Sequence, residues 1–126
     1  MIVDSTTAGP GADAPVQAGT VFSPAAVTET MAGPTRWVDA VFNPPIQNPV
    51  CMSQIQSHNG GDFCKTRQRN ASPNGFQITM EEDGIDASHK QELYGWVAMP
   101  AGNGVLGTLH YEALNTPTLS PTSRTL

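Results

Sequence analysis

The tetrapeptide Ser72-Pro73-Asn74-Gly75, followed at once by Phe76-Gln77-Ile78-Thr79-Met80-Glu81, constrains the fold more than any other stretch of this chain. Proline presets one backbone dihedral and Asn-Gly tolerates the positive ones, so the tetrapeptide is a turn. The alternation that follows sends Phe76, Ile78 and Met80 to one side and Gln77, Thr79 and Glu81 to the other. A period of two belongs to a half-buried strand and is incompatible with a helical stripe. Glu82 continues the inward parity, so it either lies past the edge of the core or meets a partner there.

The same reading extends in both directions. Val38, Ala40 and Phe42 share one side of a strand over 37–42, which Pro44-Pro45 then stops because proline has no donor for a ladder. Residues 50–57 are strand-like with no clear facing. Over 63–70, Phe63, Lys65, Arg67 and Arg69 face one way and Cys64, Thr66, Gln68 and Asn70 the other. Over 92–99, Leu93, Val97 and Met99 oppose Tyr94, Trp96 and Ala98, and both sides are apolar, as in a central or interface strand. Short segments at 16–21 and 104–111 complete the set. No segment of useful length has helical periodicity, so the chain is all-β: six or seven short antiparallel strands folding as a β-sandwich.

Length allows one domain with a single two-layer core. Six basic residues stand against eleven acidic ones, a formal charge of -5, and the lone basic cluster is Lys65, Arg67 and Arg69. That balance disfavours nucleic acid as a partner. Residues 1–35 hold four prolines, four glycines and no base; residues 1–15 read as an extended arm and 114–126 as a Pro/Ser/Thr-rich tail, around a sandwich spanning 16–113. Such ends bury too little apolar surface to order themselves, so a partner surface is expected to order them. The N-terminus has neither the cationic start nor the apolar run of a secretory signal, and no stretch has membrane-spanning length. Synthesis and assembly inside a cell are expected. If the strands on either side of Asn59-Gly60-Gly61 pair about that turn, Cys51 and Cys64 fall about five residues out of register, on the order of 15 Å apart, so both thiols are expected to be free.

Four signals occur in order: F-N-P-P-I-Q-N-P-V from Phe42, N-G-G-D from Asn59, R-x-R-N-A-S-P-N-G-F from Arg67, and H-K-Q-E-L-Y-G-W-V-A-M from His89. In this order they resemble the H-type lectin-like domain, in its bacterial and bacteriophage variant, over roughly residues 16–113 and most sharply over 42–99. The resemblance implies a six-stranded antiparallel sandwich, commonly a homotrimer. Animal members hold N-acetylgalactosamine with a Trp-His pair and an arginine; the corresponding positions here are Asp83, Gly84 and Phe63, so that sugar specificity does not carry over.

Arg67, Arg69, Glu82, His89 and Glu92 are the candidate ligand-binding set. They can be read as a pocket for a sugar hydroxyl or carboxylate, with arginine as a bidentate donor, or as an ion network that fixes strand register and subunit contacts. The second reading is preferred, because no second aromatic platform lies beside them in sequence. The acidic run Glu81, Glu82, Asp83 and Asp86 lacks the spacing of a calcium loop, and His58, His89 and His110 are too scattered for zinc. No nucleophile elbow or phosphate loop occurs. The expectation is a non-enzymatic protein without metal or cofactor. It would act as a virion component assembled in the host cytoplasm, either a capsid cement or decoration protein or a tail adhesin, contacting particle proteins through its arm and tail. The alternative is a free-standing lectin, secreted or on a cell surface, that binds a cell-surface glycan.

Overall fold

The computed structural model describes residues 16–24, 36–82 and 89–115, with Glu82 described by its backbone alone. Eight strands occur in these segments: β1 Gln17–Phe22, β2 Val38–Val41, β3 Pro49–Ile55, β4 Cys64–Ser72, β5 Gly75–Glu82, β6 Leu93–Pro100, β7 Gly102–Leu106 and β8 Leu109–Ala113. Six of them form two antiparallel three-stranded sheets, in the orders β1-β6-β3 and β2-β5-β4, and β7-β8 is a separate hairpin. The all-β sandwich expected from the alternation is what forms. The arm over 1–15 and all of the tail beyond Asn115 lie outside the described residues.

The inward residues of β5 are Phe76, Ile78 and Met80, each 0–2% exposed. They meet Tyr94, Trp96 and Ala98 from β6 and Ala40, Phe42 and Ile46 from the β2 side. Phe42, Phe76 and Trp96 form an aromatic triangle with centroid distances of 5.8–6.0 Å, Phe76 meeting Trp96 edge-on at 85°. Each such ring contributes roughly 2–3 kcal/mol by leaving water, and about 0.5–1.5 kcal/mol more for each well-oriented pair. β6 is the middle strand of its sheet, which explains why neither of its faces is polar.

The turn before β5 has its geometric reason. Gly75 has φ +152°, and a Cβ there would lie 2.2 Å from the Ala40 carbonyl oxygen, so the neighbouring strand fits only because the position is glycine.

Two details differ from the sequence reading. The single strand expected over 104–111 is instead the hairpin β7-β8, turned at Gly107, whose φ of 62° suits a tight reversal. The strands flanking Asn59-Gly60-Gly61 do not pair by a backbone ladder; β3 and β4 belong to different sheets, and the chain between them crosses from one layer to the other. Their edges are joined by side chains instead. Ser53 Oγ donates to Thr66 Oγ1 at 2.9 Å, and Thr66 Oγ1 donates to the Ser53 carbonyl at 2.8 Å. The Gln68 amide, oriented to satisfy both edges, donates to the Cys51 carbonyl at 2.7 Å and accepts from the Ser53 amide at 2.8 Å. This alignment sets Cys51 beside Gln68 rather than Cys64, and no disulfide joins the two cysteines. Burial pushes the Cys51 thiol up to about 11.

A second side-chain clasp lies on the other side of the sandwich. Gln17 is 1% exposed; its amide donates to the Pro44 carbonyl at 2.6 Å and accepts from the Asn43 amide at 2.9 Å. The Asn43–Pro44 peptide bond is cis. The F-N-P-P turn is thus held to β1 by one glutamine that uses both ends of its amide.

Candidate functional site

At one end of the sandwich, the first residues of β6 meet the 56–63 crossover. Backbone bonds bring them there: Ser23 N donates to the Glu92 carbonyl at 2.8 Å, and Gln56 N donates to the Leu93 carbonyl at 2.8 Å. The Glu92 amide donates to Ser23 Oγ at 2.9 Å, and the Leu93 amide donates to Ser57 Oγ at 2.7 Å. Glu92 is thereby held on the inner side, 1% exposed.

Its carboxylate organises the Asn59-Gly60-Gly61-Asp62 loop. Oε1 accepts from the Asn59 amide at 2.8 Å, the Gly60 amide at 2.8 Å and lies 2.9 Å from His89 Nε2. Oε2 accepts from the Ser57 hydroxyl and, at 3.1 Å, from the Asn59 amide. The Asn59 side chain closes the arrangement by donating to the Gln91 carbonyl at 2.8 Å. Burial alone would raise the Glu92 carboxyl. The Ser57 hydroxyl, the Gly60 amide, His89 and the Asn59 amide outweigh it and hold the group down at about 2. Gly60 is required because a Cβ would lie 2.4 Å from His89 Cε1, against a ring that is itself buried.

His89 also reaches Cys64, with Nε2 3.6 Å from Sγ. A thiol, an imidazole and a carboxylate in contact invite comparison with a nucleophile relay, but a relay needs one ring nitrogen toward the nucleophile and the other toward the carboxylate. Here the same nitrogen, Nε2, faces both partners. Among the described residues, no three of His, Cys, Asp and Glu are grouped so as to hold a metal ion.

Four of the five residues singled out in sequence separate into two places. His89 and Glu92 come together as described. Arg67 and Arg69 lie on the outer face of β4, opposite Thr79 and Gln77 of β5. Arg67 forms a two-bond pair with Glu81, through Nε to Oε2 and through Nη2 to Oε1 at 3.0 Å. Arg69 donates through Nε to Gln77 Oε1 at 2.9 Å and stacks over the Trp37 ring at 4.0 Å from its centroid. Gln77 continues to Asp39 at 2.9 Å, giving a polar ladder across β4, β5 and β2. The backbone of Glu82 stands opposite Cys64 in the β4-β5 register, and the partner of Arg67 is Glu81. Sequence reasoning missed Ser57 and the Asn59 and Gly60 amides; their signal is N-G-G-D, whose first task in the sequence reading is to turn the chain.

Beside the buried cluster a depression of about 300 Å³ opens, lined in part by Ser57, His58, Asp62, Phe63, Cys64 and Glu92. Phe63 is 73% exposed at its wall.

No family model matches the chain. No solved structure matches it. Over 76 residues, 57% of the chain, it is 33% identical to part of Halomucin from Haloquadratum walsbyi. The chain spans about 1% of that protein's length.

Proposed function

We propose that this chain is a non-enzymatic structural or adhesion module built on an H-type lectin-like sandwich. It works as an oligomer, a homotrimer by that resemblance, within a larger particle. The particle proposed is a bacteriophage virion, with the chain as a capsid cement or decoration protein or a tail adhesin. The observation that carries the structural reading is the saturation of Glu92. Its two oxygens already accept from two backbone amides, a hydroxyl and His89, and they hold a loop in shape. A carboxylate so engaged has no lone pair to spare for a substrate proton or a sugar hydroxyl.

The test compares the full chain with one lacking residues 1–13, by co-sedimentation with particles from the source and on a glycan array. The full chain should travel with particles, the shortened chain should not, and neither should give strong array binding. Strong glycan binding that survives the deletion, with no particle association, would overturn the proposal. One observation favours a second reading, the free-standing lectin. The depression beside His58 and Asp62 has an exposed aromatic, Phe63, on which a sugar face can stack.

A further inference from the structure

Asn59-Gly60, Asn74-Gly75 and Asn103-Gly104 are the Asn-Gly pairs of this chain. Such a pair can modify itself. The glycine amide nitrogen, once it has given its proton to hydroxide, attacks the asparagine Cγ. The new N–Cγ bond closes a five-membered succinimide, the Cγ–Nδ2 bond breaks, and ammonia leaves with a proton taken from water. A second water then opens the ring at either carbonyl. One opening leaves aspartate; the other leaves isoaspartate, whose backbone runs through the side chain. Glycine permits the attack because it has no Cβ to crowd the ring. All three pairs share this chemistry, so the fold decides among them. The glycine amide must leave its hydrogen bond, and the asparagine backbone must turn to bring Cγ onto it.

Asn59 is held hardest. The Gly60 amide, which would be the nucleophile, donates to the buried Glu92 carboxylate at 2.8 Å, and so does the Asn59 amide. Nδ2 of Asn59, which would be the leaving group, donates to the Gln91 carbonyl at 2.8 Å. Asn74 is exposed, but its turn is pinned: its carbonyl accepts from the Phe42 amide at 2.9 Å, and the Pro73 carbonyl accepts from the Ile46 amide at 2.8 Å. Gly75 stands in register with both Ser72 and Val41. Asn103 is exposed and lies in the two-stranded sheet β7-β8. The Ala101 amide ties that hairpin to the sandwich at its base, donating to the Asn48 carbonyl at 2.9 Å. Beyond the tie a ribbon of two strands is the least stable kind of sheet, and it opens most often.

We infer that Asn103 is a self-modification site, which water converts to aspartate and isoaspartate in the folded chain ahead of Asn59 and Asn74, and that the conversion loosens the hairpin. Asn103 stands opposite Glu112, so the carboxylate formed faces another directly across the ribbon. The isoaspartate route inserts a backbone carbon just before Gly104. That glycine packs so closely on Tyr111 that a Cβ there would lie 2.3 Å from the ring Cζ, and the inserted carbon puts the pair out of step. The inference goes beyond the assembly reading and does not depend on it.

The experiment incubates the full chain in warm, mildly alkaline buffer, with and without urea, beside Asn103→Gln. Peptide mass spectrometry follows each pair, since every conversion exchanges NH for O. In the folded chain Asn103 should convert at least about tenfold faster than Asn59, with Asn74 between them; in urea the three rates should fall within about threefold of one another. Asn103→Gln should lose the fast conversion. Folded chain that converts first at Asn59 or Asn74, or equally at all three, overturns the site. Hydrogen exchange of Asn103→Asp supplies the second arm. Amides over 102–113 should exchange at least about threefold faster than in the wild type, with those of the two larger sheets unchanged. A hairpin that exchanges as before overturns the loosening.

Discussion

Replacing Glu92 with Gln tests the account of the buried loop most directly, since shape and volume are kept and only charge and acceptor count change. Oε1 receives three donors and Oε2 two, with the Asn59 amide shared between them. An amide supplies one oxygen, and its NH2 group must then face donors. A hydrogen bond to a charged group contributes about 1.5–3 kcal/mol and a neutral one about 0.5–1.5 kcal/mol, so each donor that stays bonded still loses about 1 kcal/mol. With three such donors the loss is about 3 kcal/mol. For a domain of this size that lowers the melting temperature by about 15 °C. Thermal or urea unfolding at pH 7, followed by the fluorescence of Trp96 in the aromatic triangle, reads it out. A loss below about 1 kcal/mol would refute the claim that the carboxylate organises the loop. Lowering the pH gives a second arm. The folded carboxyl titrates at about 2 and the ordinary value is 4.5, so as pH falls the unfolded chain takes up its proton first. The stabilisation from Glu92 is therefore complete above about pH 4.5 and is lost on the way down to about 2. The gap between wild type and Glu92→Gln should close over that window; a constant gap would sink the argument.

Other perturbations separate the parts of the fold. Gly60→Ala forces a methyl group into the His89 ring and should cost about 2–4 kcal/mol in urea unfolding, with cleavage of the 56–63 crossover by a nonspecific protease appearing first. Gln17→Ala removes both partners from the Asn43 amide and the Pro44 carbonyl and should cost about 2–4 kcal/mol by the same assay. Arg67→Ala breaks an ion pair whose arginine is 61% exposed, so its unfolding free energy should change by less than about 1 kcal/mol.

The strands were legible wherever apolar and polar residues alternate, as in Phe76 to Glu81, because that contrast is written in every second residue even where the polar side is covered, as at Thr79. It failed at 104–111. Gly107 is one of two glycines there, and nothing local says which of them takes the positive φ. Crossing between layers at 56–63 was also invisible, because strand-like residues on either side of an Asn-Gly turn read the same whether or not they pair. Of the candidate site, His89 and Glu92 were found from their spacing in a strand start. Their separation from Arg67 and Arg69 follows from which face of β4 is wet, and sequence parity had already put the arginines opposite Cys64. What could not be read was the role of backbone amides at Asn59 and Gly60, since an amide's availability depends on a partner dozens of residues away. Gln17 and Gln68 were overlooked for a similar reason. A glutamine that closes a gap between sheet edges has the same letter as one in water.

The loop at Asn59 and Gly60 takes its acceptor from a residue 33 positions further along the chain, and that residue is tied in turn to Ser23, 69 positions before it. At a ribosomal rate of roughly 5–20 residues per second, the two amides leave the ribosome about 2–7 s before Glu92 does. During that interval β4 and β5 can pair with each other, but the crossover has nothing to wrap around. β6 thus arrives as the piece that completes a sheet and sets the loop in one event, and a nascent chain halted before residue 92 holds its N-G-G-D segment without a template.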